Sequence, residues 1–483
     1  MPRFILMCFV LSLIFTNCST KNISIHEEYY ARLDAIRDNK EQELLHYMDF
    51  VKERAAQIEN DPVMKQLFVS KGRLYQQQIN KQLENSDKNE LYRLRDAIEN
   101  RYIEKYLLFY DILFINPQGN VFYTVRKQAD YHKNIFEGKL SQTALAAHLR
   151  ENPTQKFVDF QNYEISGEPS AFFIEPHWSG SDLVGWFVLQ FSINKINDIF
   201  SVEDGLGRTG EVFLVNQDCY MLTDSKFLAG STVLKKHLSK KNIQSKFEED
   251  EGHKVVIDYR GYRSITSFKV VSVLGSKWLL IAKIDEDELI TEKYKRNRKE
   301  SRAVLLKAIG QQHRTYRHTG RRVAKQVEVD MDEFKRAAAG EILYTHGVSS
   351  CTAFLISLKG DFAYLAHISA RDRIYGGNQT DLIRRMLKRI DEFDVVKNDK
   401  RELEVVIVSP RLSQTEGLID SLVDWGIFLS QIKLVHNPEA RYANLSHNYS
   451  ANETLVEWTP KKVSDEVLTI CVDMVKSLGD IKI

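Results

Sequence analysis

The sequence predicts an α+β chain of more than one domain: a long N-terminal helical segment, two successive modules of antiparallel strands, and a separate C-terminal domain. Three observations predict it. From Ile25 to about Leu108 the chain is charged and helically periodic. Tyr30, Leu33 and Ile36, then Leu44, Leu45, Met48 and Val51, keep the spacing of an amphipathic helix. From Tyr110 the pattern changes to short apolar runs separated by polar turns, and it occurs twice before residue 290. Finally, 483 residues are too many for one core, and a strongly basic block at 291–325 divides the chain.

The formal net charge of +1 gives no global attraction for nucleic acid, which is not expected as a partner. A hydrophobic content of 43% with only 9 prolines suits ordered globular domains. Residues 1–17 carry one arginine and an apolar run too short to span a bilayer comfortably, the pattern of a secretory signal peptide. The run ends at Cys18 and resembles the bacterial lipoprotein cleavage site. That resemblance implies lipidation of Cys18, a membrane anchor and an extracytoplasmic location, in the periplasm or at the cell surface. An ordinary signal peptide or uncleaved anchor, and a cytoplasmic chain with Phe4–Phe15 as a buried helix, are the alternatives. Beyond the leader, Cys219, Cys351 and Cys471 are too scattered for a disulfide framework. No CxxC or His-rich cluster suggests a metal, and no cofactor is expected.

Taken in order, Pro62 and Gly72 mark breaks, so two or three helices fit residues 25–108. YDILFI and VFYTV flank the turn Asn116–Asn120 as a hairpin. AFFIEPHW and LVGWFVLQFSI flank Ser179–Asp182 as a second, and NKINDIF follows as a helix. A further set starts at Gly210 with EVFLVNQDCYMLT, KVVIDY, YRSITSFKVV and KWLLIAKI. Together these segments resemble the double Cache family of bacterial extracellular sensors, over roughly Ile25–Glu288 within a domain of 18–290. The resemblance implies two PAS-like modules behind a long helix, and a small-molecule ligand in one of them. Tyr123, Arg126, Tyr131, Phe173, Glu175 and Trp178 are the candidate lining residues, with ordinary strand and loop roles as the alternative for each. No complete amino-acid-binding signature is present, so the ligand's identity stays open.

The block Thr291–Gln326 holds twelve Lys or Arg against two Glu. It reads as a solvated helix and linker. A surface lying on anionic headgroups, at about 1 kcal/mol per basic residue, is the alternative.

The C-terminal domain, 326–483, holds the chain's sharpest stretch, Thr345–His367. TAFLISL follows Cys351, FAYLAH ends on His367, and Lys359-Gly360-Asp361 between them is turn chemistry. A turn centred on Lys359 sets Cys351 and His367 directly opposite, with Cβ atoms roughly 5 Å apart. A one-residue slip separates them onto opposite faces. A cysteine within reach of a histidine base is the arrangement of covalent catalysis. The run Thr345-His346-Gly347-Val348-Ser349-Ser350-Cys351, followed by Ala366-His367-Ile368, resembles the chemoreceptor glutamine deamidases (CheD). The resemblance covers about Arg322–Trp458, with Asp332-Glu333-Phe334-Lys335 at an expected turn and YGGNQTDLIRRMLKRI at a helix.

That resemblance implies an α/β sandwich in which Cys351 is the nucleophile, His367 the base and Thr345 the residue orienting the imidazole. The substrate is then a glutamine side chain in a protein, passing through a thioester, and the setting is chemotaxis or signalling. Phe362-Ala363-Tyr364 replaces the family's Gly-Gly, and Val406–Arg411 and His436–Arg441 replace its later glycine-rich segments. These departures bear on the substrate and partner surface. An exported domain also implies a substrate outside the cytoplasm. A non-catalytic lipoprotein that senses a ligand and uses this domain as a docking scaffold is the alternative.

Overall fold

The computed structural model describes residues 25–80, 85–151, 156–201, 205–301, 314–315, 325–369, 379–394, 400–409, 415–436, 440–460 and 468–473. The expected leader and Cys18 lie outside these. Chain contacts divide the molecule into two compact units, 26–285 and 286–483.

The first unit opens with three helices, α1 (Ile25–Asn60), α2 (Pro62–Ile79) and α3 (Asn85–Arg101). Asp61 is the hinge between the first two. Its side chain accepts from the Val63 and Met64 N–H groups, and proline stands at the first helical position. Burial works against the Asp61 carboxyl, but Arg101 at 3.0 Å and the cap bonds hold it below the usual carboxylate range. The break expected at Gly72 does not occur. Gly72 sits inside α2, where a helix tolerates a lone glycine at about 1 kcal/mol.

Strands β1 (Asp111–Ile115), β2 (Val121–Thr124), β3 (Phe157–Tyr163), β4 (Glu168–Ser179) and β5 (Asp182–Ser192) form an antiparallel sheet in the order β2-β1-β5-β4-β3. The two expected hairpins are its β1–β2 and β4–β5 pairs. Phe114 and Phe187 turn toward Phe68 of α2. On the opposite face, α4 (Ala144–Glu151) fills the sheet with Leu145, Ala146 and Leu149. Gly185 marks a close approach within β5: at φ +150°, an added Cβ meets Ile115 O at 2.2 Å.

Helix α5 (Asn194–Ser201) leads to the second sheet. Its strands β6 (Glu211–Val215), β7 (Glu251–Ile257), β8 (Arg263–Val273) and β9 (Ser276–Asp285) run in the order β6-β9-β8-β7. Helix α6 (Lys240–Glu249) packs on one face. The other face meets α1 through Arg37, which is 2% exposed. Its guanidinium donates to Ser267 Oγ at 2.9 Å and Phe268 O at 3.2 Å, and pairs with Asp38 and Glu251. Arg37→Met strips these acceptors of their donor. The expected cost is about 2 kcal/mol, read as a lower urea midpoint with an unchanged slope.

The second unit begins with α7 (Glu286–Arg296). The start of the basic block is therefore no solvated linker. Ile290 and Tyr294 are in the core, Tyr294 donates to Asp420 at 2.9 Å, and Arg298 pairs with Asp424. Its remaining strands are β10 (Arg314–Thr315), β11 (Lys325–Glu328), β12 (Glu333–Arg336), β13 (Glu341–Val348), β14 (Thr352–Leu358), β15 (Phe362–Ile368), β16 (Glu404–Val408), β17 (Ile432–His436), β18 (Ala440–Asn448), β19 (Glu453–Pro460) and β20 (Leu468–Asp473). They make a seven-stranded sheet, β10-β20-β17-β16-β14-β15-β12, and a four-stranded sheet, β11-β13-β18-β19.

Helices α8 (Gln379–Phe393) and α9 (Glu416–Trp425) cover one face of the larger sheet. The smaller sheet covers the other, giving two cores on either side of one sheet. Alternation along β14 sends Phe354 and Ile356 to the helices, and Ala353 and Leu355 to the layer between the sheets. The turn expected at Asp332–Lys335 is mostly strand: Glu333 to Arg336 pair with His367 to Tyr364 as an edge.

Candidate active site

The hairpin β14–β15 sets the geometry. Leu358 pairs with Phe362, so the loop is Lys359-Gly360-Asp361 and its centre is Gly360, not Lys359. Gly360 takes φ +80°, and Asp361 N–H closes the turn on Leu358 O at 3.1 Å. Only glycine adopts this backbone without strain, which moves the expected register by two. His367 therefore faces Ala353, and Cys351 lies two residues beyond, just outside β14. A shift of two preserves the face. Cys351, Ala353 and Leu365 share the layer between the sheets, and His367 follows Leu365 on the same side of β15. The relation by register is diagonal rather than direct.

Thr345 reaches His367 from the other sheet. Its Oγ1 lies 2.8 Å from His367 Nδ1 and donates to Val329 O at 2.8 Å. A hydroxyl has one proton. Spent on the Val329 carbonyl, it leaves Oγ1 an acceptor toward the ring, so Nδ1 carries the imidazole proton. Nε2 then keeps its lone pair. It is buried and without a hydrogen-bond partner among the described residues. The ring is 3% exposed, and burial holds its pKa below the ordinary histidine value. Asp332 and Asp330 pull the other way, and His346 adds to the fall. A neutral imidazole with an unpartnered Nε2 has a lone pair open to a proton. The thiol of Cys351 is free and 5% exposed. No hydrogen bond joins it to Nε2.

The spacing of Thr345, Cys351 and His367 thus marks three residues that gather in one layer. Sequence reasoning missed what fixes them. Val329 acts through a backbone carbonyl, which no side-chain pattern reveals. Asp332, at φ +62°, donates its N–H to His367 O at 2.7 Å and accepts from Ser369 N–H at 2.9 Å, pinning the end of β15. His447 was also missed. Its Nδ1 lies 3.0 Å from Thr454 Oγ1, its Nε2 is likewise buried without a partner, and burial alone pushes it down to about 4.

Of the six residues expected to line a ligand pocket in the first sheet, Tyr123 and Tyr131 lie near enough to interact electrostatically. Phe173 pairs in register with Phe157 and stacks against Phe109 and Phe191. Glu175, 2% exposed, is held by Lys156 at 2.7 Å, beside Glu59 of α1. Tyr123 lies opposite Phe114, with the Lys71 ammonium of α2 4.9 Å from its ring centre. These three face the helices. Arg126 covers the Tyr110 ring, Tyr131 stacks on His132, and Trp178 is 44% exposed near the end of β4. Period-two alternation says which residues share a face, not which face is covered.

Among the described residues no helix is long and apolar enough to cross a membrane, and no group of His, Cys, Asp and Glu is placed to hold a metal. No family model matches the chain, and no curated protein matches it. Solved structures do. The extracellular domain of a histidine kinase is 12% identical, covering 56% of this chain and 95% of its own, with TM-score 0.39. The ligand-binding domain of the Pseudomonas fluorescens chemoreceptor CtaA, in complex with L-serine, is 15% identical over 54% and 99%, with TM-score 0.35. A domain of a sensory box/GGDEF family protein from Vibrio parahaemolyticus is 10% identical over 56% and 99%, with TM-score 0.38.

Proposed function

We propose that this chain couples a double Cache small-molecule sensor, residues 26–285, to a cysteine-dependent amide hydrolase of the CheD kind, residues 286–483, that converts protein glutamine side chains to glutamate. The sensor half rests on the long helix α1 shared by two antiparallel sheets. The hydrolase half rests on one observation: Thr345 fixes His367 with Nε2 bare, on the face that carries Cys351.

In this reading Nε2 takes the Cys351 proton, and the thiolate attacks the glutamine side-chain carbonyl carbon. The carbonyl π pair moves to oxygen. The imidazolium then gives its proton to nitrogen, the C–N bond breaks, and ammonia leaves a thioester on Cys351. Water attacks the thioester, giving its proton to Nε2. The C–S bond breaks, the thiol is restored, and glutamate is the product. The thiol and ring start without a hydrogen bond, a looseness common before substrate binds.

The test is ammonia release from a glutamine-rich denatured casein by the full-length chain and by Cys351→Ala. Release that depends on Cys351, with glutamate found in the casein, is expected. Equal release by both proteins overturns the reading. One observation favours the scaffold reading instead: Cys351 is nearly inaccessible inside an apolar cluster. On that reading iodoacetamide leaves the folded protein's Cys351 unmodified at neutral pH.

A further inference from the structure

On the first sheet, Ile135 and the α4 residues Leu145, Ala146 and Leu149 fill the face turned away from α2. The second sheet differs. Between its corresponding face and α6 lies a cavity of about 100 Å³, walled by Phe213, Ile243, Val256 and Ile281 with Lys246, Lys283, Asp258 and Tyr259. A dry cavity of about 150 Å³ takes benzene, so this space suits a molecule of a few heavy atoms.

The charges of this wall are unevenly met. Asp258 is paired by Lys283 at 2.7 Å and by Arg260, and the Tyr259 hydroxyl donates to Glu211 at 2.6 Å. Those anions have their cations and donors. Lys246 does not have its anion. It is 3% exposed, its Nζ donates to Asn242 O at 3.1 Å, and it forms no ion pair among the described residues. The Phe268 ring lies 5.6 Å away and Ile243 one helical turn back along α6. An ammonium taken out of water without a counter-charge is costly, and a carboxylate brought to it relieves the cost. Burial draws the Lys246 pKa down to about 8, with Lys254 adding to the fall and Glu249 opposing it. Below that value the group is a cation beside an apolar space.

We infer that this cavity binds a short monocarboxylate, its carboxylate on Lys246 and its alkyl end against Phe213, Val256 and Ile281. The inference rests on the sensor reading above and names the site and ligand class within it. A second-sheet site is also a different place from the residues expected in the first sheet.

The experiment is thermal unfolding of the full-length chain at pH 7 with 10 mM acetate, propionate, butyrate or lactate, with propionamide as the uncharged match, and separately with 10 mM glycine, L-alanine or L-serine. Millimolar binders at about ten times their Kd stabilise by RT ln 11 and raise the transition. At least one carboxylate is expected to raise it, and propionamide is not. Lys246→Met, which keeps the stem, is expected to abolish the rise. Val256→Phe, which fills the space and leaves Lys246 in place, is expected to abolish it too, so a folding defect in one variant leaves the other as the test. Equal shifts with propionate and propionamide, no shift with any carboxylate, or a shift that survives in either folded variant overturns the inference. A shift with amino acids in place of carboxylates overturns it while leaving the sensor reading intact. No shift with either group of compounds fails both.

Discussion

His367→Asn is expected to slow ammonia release about 10³-fold, within the ~10²–10⁴ that a positioned base contributes. The substitution is chosen for its geometry. The asparagine amide reaches the place of Nδ1 and donates to Thr345 Oγ1, so the bond at 2.8 Å and the layer around it survive. What disappears is the lone pair at Nε2. Thr345→Val does the converse. It keeps the imidazole but removes the acceptor that holds the proton on Nδ1, and it strands the Val329 carbonyl. A loss of about 10–100-fold is expected, of the size seen when a ring's orienting partner is lost, with Thr345→Ser restoring most of it. The pH profile separates this role from mere packing. Burial holds His367 below its ordinary value. The base form therefore persists on the acid side, and the acid limb of kcat/KM lies below pH 6.5 in the wild type. A wild-type limb above pH 7, or full activity in His367→Asn, rules out His367 as the base.

Much of this was legible in the chain, and the parts that were not have physical reasons. Asn116–Asn120 and Ser179–Asp182 announce their hairpins because glycine, proline and asparagine supply the backbone that tight turns require. Thr345, Cys351 and His367 stand out because chemistry-bearing residues are rare on apolar strands. Their register did not stand out, since the left-handed residue of a three-residue loop decides it, and here that is Gly360. Asp332–Lys335, expected as a turn from the family resemblance, is mostly strand because β15 offers Glu333–Arg336 an edge to pair with. Strand β3 was missed because FVDFQNY breaks its apolar alternation with Asp159, whose carboxylate accepts from Trp278 Nε1 at 2.9 Å, a partner 119 residues away. Which face of a strand the helices cover, and so where Phe173 and Glu175 point, is likewise a tertiary fact.

The largest loss of stability is expected from Lys283→Met. Lys283 is 1% exposed and stands between two carboxylates, Asp258 at 2.7 Å and Glu211 at 3.4 Å, on the face of the second sheet that α6 covers. Arg260 bonds Asp258 and Asp285 at 2.5 Å each. All five side chains are at most 7% exposed. With Lys283 gone, Asp258 keeps Arg260, while Glu211 loses its ammonium and keeps the Tyr259 hydroxyl and the Lys226 N–H. Removing one partner of such a group costs about 3–5 kcal/mol, roughly 10 °C for a unit of this length.

Acid titration checks the cause. Burial opposes ionisation of Asp258, yet Lys283 and Arg260 hold its carboxyl down to about 2. The unfolded value is about 3.9, so the folded state binds this proton less readily. The resulting stability is complete above about pH 4 and is lost as the pH falls through 2. Lys283→Met removes the first of the two cations, so the Asp258 carboxyl rises toward its unfolded value. The variant's stability should then change less than the wild type's between pH 4 and 2. Adding Glu211→Gln to Lys283→Met removes the carboxylate charge that lost its ammonium and is expected to recover part of the loss. A variant as stable as the wild type at pH 7, or one with an unchanged slope below pH 4, would show that the buried network does not depend on Lys283.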